Sequence, residues 1–320
     1  MDTWEVEHAV EILTKAMDLK NQTLAETDYK QFNKINQSFW GASVYRDEER
    51  WYALDGKELR GSIDKEAGES RAQNIVSRTK HIGNQSVIID YYDGSKESEK
   101  VSVINYFANF EKLNGSYTLD ALHLSSELAG TIHQKGGIYL AQLKNNQKFL
   151  LEECKHIAQH LPARHICRTD EKGHGRMETR IGRGYVLDAA SLDPRWAASG
   201  MQTLVVLERE RCQIKTGKCS REKSYWVTNK ELSEANFEEL FQAVRGHWQV
   251  EVHHNYRDKQ LKEDAMICRN KNESRFIASC ITLTINMLIK QGYENMSILR
   301  EELARHKKDL LPLFSRALVL

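Results

Sequence analysis

Two short segments constrain this 320-residue chain more than any other feature: Tyr52-Ala-Leu-Asp55 and Tyr117-Thr-Leu-Asp120. Each is an aromatic and aliphatic run that stops at an aspartate and passes into turn or helix-start residues. A run of that length suits a buried strand with a carboxylate left at its C-terminal lip. Open α/β sheets bind ligands at such lips. Between the two, "AQNIVSRTK" and "SVIIDYYDG" read as strands joined by a tight turn at Gly83 and Asn84, making an antiparallel meander with the Asp55 strand. "ESEKVSVINYFANFEKL" then sets Val101, Ile104, Phe107, Phe110 and Leu113 at helical spacing and leads into the Asp120 strand.

After Asp120, "HLSSELAGTIHQKGG" predicts a helix closed by glycines and "IYLAQLK" the next strand. The order of three strands, helix, strand, helix, strand resembles the ribonuclease H-like plan, a meander followed by βα crossovers. The expected fold class is therefore α/β, with a ribonuclease H-like mixed sheet core, a strand-rich insertion and C-terminal helices. Residues 1–48 form a short helical N-terminal region, 49–148 the first part of the core, 149–230 the insertion and 231–320 the helical C-terminal part. Inside the insertion, "FLLEECKHIAQHL" is helical, followed by strands in "METRIGRGYVLDA", "TLVVLERERCQIK" and "CSREKSYWVTN", the last two joined by a hairpin at Thr216-Gly217.

A long amphipathic helix is predicted next, with Phe237, Phe241, Val244, Trp248 and Val252 as one apolar stripe. In "RGHWQVEVHHNYRD" (245–258), His247, Glu251, His254 or Asn255, and Asp258 then share a face beside that stripe. Packed on the sheet, such a helix presents Glu251 to the two strand-end aspartates.

Three carboxylates so placed supply the hard oxygen ligands and negative charge that a pair of magnesium ions needs. Two metals about 4 Å apart can activate the attacking oxygen and stabilise the leaving oxygen of a phosphodiester displacement. Taken singly, a strand-end aspartate is usually a turn or helix cap and a helix glutamate is usually solvated. At these residues the chain resembles the DDE transposases of the H-repeat-associated insertion-sequence family. "LDGKELRGS" (54–62) is similar to the family's first-aspartate motif, "LDALH" (119–123) to its second and "HWQVE" (247–251) to its His-Trp-x-Ile/Val-Glu signature, with further likeness in "LKNNQ" (143–147) and "EKGHGRMETR" (171–180).

The resemblance runs from about residue 50 to the C-terminus and implies that Asp55, Asp120 and Glu251 are an acidic triad. It implies Mg2+ as cofactor, with Mn2+ substituting, and double-stranded DNA, both element terminal repeats and target, as partner. It also implies a homodimer in the active complex. The chain departs from the family in two places. Only about 50 residues precede the first-aspartate strand, as in a truncated copy, and "VHHNYRD" runs one residue shorter before Asp258.

Other residues suit phosphate contacts. Lys57 and Arg60 follow the first aspartate, Lys144 and Gln147 lie just past the fifth strand, and His174, Arg176 and Arg180 belong to the "GHGRMETR" match. Arg245 and Arg257 offer guanidinium forks, and His247 sits one turn before Glu251. Exposed loops, strand-edge ion pairs and a structural histidine are the plain readings of the same residues. Trp248, on the stripe, is expected in the core, with base stacking as the minor reading. "CKHIAQHLPARHIC" lacks a CxxC pair and is not expected to hold zinc. Cys212 and Cys219 flank the hairpin turn, and all six cysteines are expected to stay reduced. The last sixty residues read as apolar helices with Phe276, Ile277, Cys280, Ile281, Thr284 and Leu288 buried.

Composition narrows the classes. No apolar run approaches the roughly 18 residues of a membrane span, and the acidic start lacks the plan of a signal peptide, so a cytoplasmic, nucleoid-associated protein is expected, with no membrane partner. With 28% charged and 40% hydrophobic residues the chain should fold. The net charge of +1 neither demands nor excludes nucleic acid, because opposite charges can segregate onto separate faces. The expected function is cleavage at element ends and 3′-hydroxyl strand transfer. Its rivals are a truncated or repurposed DNA-binding regulator and a stand-alone metal-dependent nuclease.

Overall fold

Strand β1 (Trp51–Leu59) is the pivot of the sheet, paired antiparallel with β2 (Gln73–Lys80) and parallel with β4 (Ser116–Leu119). The computed structural model describes residues 22, 23, 26–45, 51–93, 96–188, 191–290 and 305. Most of the expected N-terminal region and nearly all of the chain after residue 290 lie outside the described residues. Helix α1 (Tyr29–Tyr45) precedes β1. The meander β1-β2-β3 (Ser86–Asp93) turns at Gly83 and Asn84, whose φ angles of 83° and 51° are left-handed, a region open to Gly and tolerated by Asn.

Helix α2 (Lys96–Ala108) returns the chain to β4, and α3 (Ser126–Gln134) to β5 (Ile138–Leu143), which pairs parallel with β4. The Ser125 side chain caps α3 by accepting from the Leu128 N–H at 3.2 Å, and Gly136 with φ of 82° ends that turn. This part of the sheet, in order β3-β2-β1-β4-β5, is the ribonuclease H-like core expected from the strand order. Helix α2 stops earlier than its periodicity predicts. Val103 and Phe107 carry its buried face, Val101 is exposed, and Phe110 and Leu113 lie beyond its end.

The remaining strands continue the same sheet. After α4 (Lys148–His160) come β6 (His165–Gly173), β7 (Arg176–Val186), β8 (Thr203–Gln213) and β9 (Cys219–Thr228), and β9 pairs antiparallel with β5. The nine-stranded order is β3-β2-β1-β4-β5-β9-β8-β7-β6. Because Tyr225 of β9 stands opposite Leu143, the six residues from Cys219 to Ser224 run past the C-terminal lip of β5, an overhang of about 20 Å. The arm therefore projects on the side where Asp55 and Asp120 sit.

Strand β6 is not visible as apolar alternation. Its residues are charged and half-buried or exposed, because it is the edge strand of the sheet. The expectation of reduced cysteines is corrected for one pair: Cys212 and Cys219 stand opposite each other in the β8–β9 register and are disulfide-bonded. The other four are free thiols.

Alternating side chains of β1 feed two cores. Tyr52 and Leu54 pack with Val103 and Phe107 of α2, Leu128 and Ile132 of α3, and Leu150 and Cys154 of α4. On the opposite face Trp51 joins Leu140, Val205 and Trp226 under Phe237, Leu240 and Val244 of α5 (Glu234–Gly246). Each such side chain contributes about 1.5–3 kcal/mol on burial.

The predicted single long helix is two. A Cβ at Gly246 would lie 2.1 Å from the His81 ring, so the backbone passes directly against it. There α5 ends, His247 and Trp248 form a turn, and α6 (Gln249–Asn255) begins, followed by a π turn over Tyr256–Gln260. The break takes Trp248 off the stripe, and its indole is 61% exposed rather than in the core.

Helix α7 (Lys271–Lys290) also corrects its predicted stripe. Ile281 and Leu288 are buried, but Phe276, Ile277, Cys280 and Thr284 are only half-buried, while Arg275, Ser279, Thr282 and Asn286 face inward. These polar groups find partners: Asn286 bonds both the N–H (2.9 Å) and the C=O (2.6 Å) of Ser86, and Arg275 bonds the Tyr29 hydroxyl (2.6 Å) and Asp93 (2.8 Å). Among the described residues no helix is long and apolar enough to cross a membrane.

Candidate active site

The parallel register of β1 and β4 ends with Leu54 opposite Leu119, so Asp55 and Asp120 follow side by side at the C-terminal lip. Their side chains are 29% and 35% exposed. Burial, then the charges of Asp120 and Glu99, push the Asp55 carboxyl up to about 7, against the weaker pull of His123 and the Gly56 N–H. Neighbouring carboxylates that resist ionising together, partly open to solvent, suit a divalent cation, which removes the repulsion and prefers oxygen donors. Among the described residues no three His, Cys, Asp or Glu side chains already converge as a ligand set.

Glu251 lies on α6, exposed, its carboxyl raised by partial burial with Lys144 opposing. One turn further along, His254 Nδ1 is 3.6 Å from Asp55 Oδ2, which places α6 over the aspartates. At the start of α6, His247 Nδ1 lies 3.0 Å and His81 Nε2 2.8 Å from the Thr118 hydroxyl, two residues before Asp120. Burial lowers His81 to about 3 and His247 to about 4, so both rings are neutral in the folded protein.

These two histidines make stability acid-sensitive. Their folded pKa values lie below the ordinary 6.5, so the unfolded chain binds more protons between about 4 and 6.5 and stability is lost as pH falls through that window. From pH 6.5 to 5 each contributes a loss of about 2 kcal/mol. Urea unfolding at both pH values, compared between wild type and His81→Asn, is expected to show a shallower pH dependence in the variant. Equal slopes would refute the assignment.

The residues expected to hold phosphate divide into two groups. Lys144 is exposed beside Glu251, Arg60 is 70% exposed with Glu58 3.8 Å away, His174 is exposed at the β6–β7 turn with φ of 49°, and Arg176 is 40% exposed, 3.6 Å from Glu178. The others are engaged by partners within the protein, Arg245 among them at an exposed position. Lys57 is buried and paired with Asp258 (2.6 Å) and Asp264 (3.3 Å), and Arg257 is fully buried against Glu263. Gln147 donates to the Leu124 carbonyl (2.9 Å) and accepts from Arg195 (3.0 Å). Arg180 bridges Glu171 and Glu178, and Arg245 makes a two-pronged contact to Glu171, holding Glu171 below the usual carboxylate range. These last pairs tie the β6–β7 arm to α5. His247 faces Thr118 and the edge of Trp226.

Sequence reasoning missed Glu99, in a charged run that looks solvated, yet it is buried on α2 beneath the aspartates. It also explains the glycine of "LDGK": a Cβ at position 56 would lie 2.3 Å from the Glu99 carboxyl carbon. His123 was visible as the last letter of "LDALH", without a role.

Comparison with known proteins agrees with this geometry. The chain matches 74% of its length, at 28% identity and over 63% of the relative, to Escherichia coli K12 "Putative protein YbfL". It is 27% identical over 76% of its length and 65% of the relative to the same strain's "H repeat-associated putative transposase YhhI". It is 25% identical over 74% of its length and 61% of the relative to "Putative transposase YncI" of Escherichia coli O157:H7. The chain thus spans less than two thirds of the length of these relatives. The family described as "Transposase DDE domain" matches residues 100–287, more than half of the chain, a span that includes Asp120 and Glu251 and begins after Asp55. With a ribonuclease H-like sheet carrying paired carboxylates at its lip and that match across it, the chain belongs to the DDE transposase family.

Proposed function

We propose that this chain is the catalytic part of an insertion-sequence transposase, which cuts double-stranded DNA at element ends and transfers the freed 3′-hydroxyl to target DNA. The observation that carries the proposal is the pair of partly exposed aspartates at the lip, side by side and resisting joint ionisation. Asp55, Asp120 and Glu251 would hold divalent cations, magnesium with manganese as substitute. When bound, such ions supply activation of the attacking oxygen and stabilisation of the leaving oxygen. Residues 49–148 and 231–320 would form the catalytic core, with 149–230 as its insertion.

The protein's own groups would position the DNA. A groove of about 650 Å³ runs from Asp120 between the lip of β5 and the overhanging β9, lined by Lys100, Lys144, Lys155, Lys223 and Tyr225. Cations along such a groove favour a phosphate backbone without reading sequence. Lys144, near both the groove and Glu251, would hold the phosphate next to the cut. Lys57 and Arg257, buried in ion pairs, would instead brace the segment carrying Glu251. Joining two ends calls for two copies, so a homodimer is part of the proposal.

The test is cleavage of DNA carrying the flanks of the gene, with Mg2+ or Mn2+, by wild type and Glu251→Gln. Cleavage is expected to fall at least about 10³-fold in the variant, roughly 4 kcal/mol of transition-state stabilisation, with DNA binding retained. A variant that cuts normally removes Glu251 from the site. A wild type that binds but never cuts favours the DNA-binding regulator, and one that nicks without joining favours the stand-alone nuclease.

A further inference from the structure

We infer that Glu99 and His123 form a buried positioning pair that sets the spacing of Asp55 and Asp120, an inference that rests on reading those aspartates as the cation site. His123 has no exposed side-chain surface, and its Nε2 lies 3.0 Å from Glu99 Oε1 and 3.8 Å from Asp120 Oδ1. Its backbone N–H donates to Asp120 Oδ1 at 3.2 Å, the direct bond between this residue and that carboxylate, while the ring is a charge neighbour 3.8 Å away. Glu99 reaches the other strand by packing against Gly56, the residue after Asp55, where a Cβ would lie 2.3 Å from its carboxyl carbon. The connection runs Asp55-Gly56, Glu99, His123, Asp120, and it crosses from the middle of β1 to the end of β4.

The pair acts through the aspartates rather than at the reacting atoms. Glu99 Oε2 accepts from the Tyr92 hydroxyl at 2.8 Å, and Oε1 is in ionic contact with His123 Nε2 at 3.0 Å without hydrogen-bond alignment, so Glu99 does not present a bare ligand. His123 is covered and cannot touch DNA. Two neighbouring carboxylates that repel each other would spread apart if the strands carrying them were loosely joined. A buried link between the strands holds them at one separation before any cation arrives. Partners behind metal ligands typically change affinity or activity about 10–100-fold when removed.

The experiment is Mn2+ titration by calorimetry on the full chain, for wild type, Glu99→Gln, His123→Ala, His123→Gln and Asp120→Asn, with melting in EDTA, DNA binding and cleavage kinetics alongside. Glu99→Gln and His123→Ala are expected to weaken Mn2+ binding about 10–100-fold and to lower kcat while leaving KM for DNA and DNA affinity unchanged. His123→Gln, which keeps an N–H donor, recovers part of the loss. Glu99→Gln binding Mn2+ like wild type, while Asp120→Asn loses it, overturns the pair and leaves the aspartates as the site. Variants that melt early in EDTA and lose DNA binding together also overturn it, since the pair then merely supports the fold. A wild type that takes up no Mn2+ overturns the cation site itself and this inference with it.

Discussion

Asp120→Asn is expected to lower DNA cleavage at least about 10³-fold and, in metal-free buffer at pH 7.5, to raise the melting temperature. The two effects share a cause. Asp55 titrates near 7 in the folded protein instead of 3.8, with burial the largest reason and Asp120 the next. A carboxyl whose folded pKa is raised has its stability fully present at acid pH and loses it as pH rises from 3.8 through about 7. Above that range the metal-free site holds repelling charges. Asn at position 120 removes one of them, relieving about 1 kcal/mol and shifting melting by about 1–2 °C in a protein of 320 residues. The same substitution takes away a cation ligand. Thermal melts in EDTA and in Mg2+ check this: the variant should melt above wild type in EDTA, and Mg2+ should stabilise wild type more. A variant less stable than wild type in EDTA would show that Asp120 serves the fold.

Arg257→Met is expected to cost about 3–5 kcal/mol, a large share of the roughly 5–15 kcal/mol that holds a typical protein folded. Arg257 has no exposed surface; its Nε donates to Glu263 at 2.8 Å, its Nη2 also contacts Glu263, and it reaches Thr282 and the Ala278 carbonyl on α7. Removing the guanidinium leaves Glu263, 5% exposed, with Lys57 4.0 Å away as its remaining ionic neighbour. An uncompensated buried carboxylate is the expensive part, since replacing both members of a buried pair is often close to neutral. Arg257→Met with Glu263→Met should therefore recover much of the loss. Urea unfolding of the two single variants and the double variant measures this coupling. A single-variant loss below about 1 kcal/mol would contradict the buried-pair account. Because this pair fastens the turn after α6 to α7, the single variant should also loosen the helix carrying Glu251.

The core was legible because its signals are local. "YTLD" ends its strand at the aspartate as a short apolar run with a polar stop predicts, whereas "YALD" does not. Strand β1 runs on through Asp55 to Leu59 along β2, and Asp55 comes to the lip because its other neighbour, β4, stops at Leu119. The Gly83-Asn84 and Thr216-Gly217 turns follow from the left-handed backbone that such residues accept. The helix break after Gly246 was not legible, because the turn there packs against His81, more than 160 residues earlier in the chain. Strand β6 was hidden because an edge strand needs no apolar alternation.

What the sequence determined by itself is the order of elements from β1 to β5, the two aspartates on neighbouring strands and the family motifs around them. What only the tertiary structure decided is which charged residues are available for chemistry. Lys57 and Arg257 look like phosphate contacts in one dimension and are buried in ion pairs within the fold, whereas Glu99 looks solvated and is buried under the aspartates. Backbone preference depends on a residue and its near neighbours. The burial and partner of a charge depend on segments brought together from tens to hundreds of residues away, as Lys57 meets Asp264 and Glu99 meets His123.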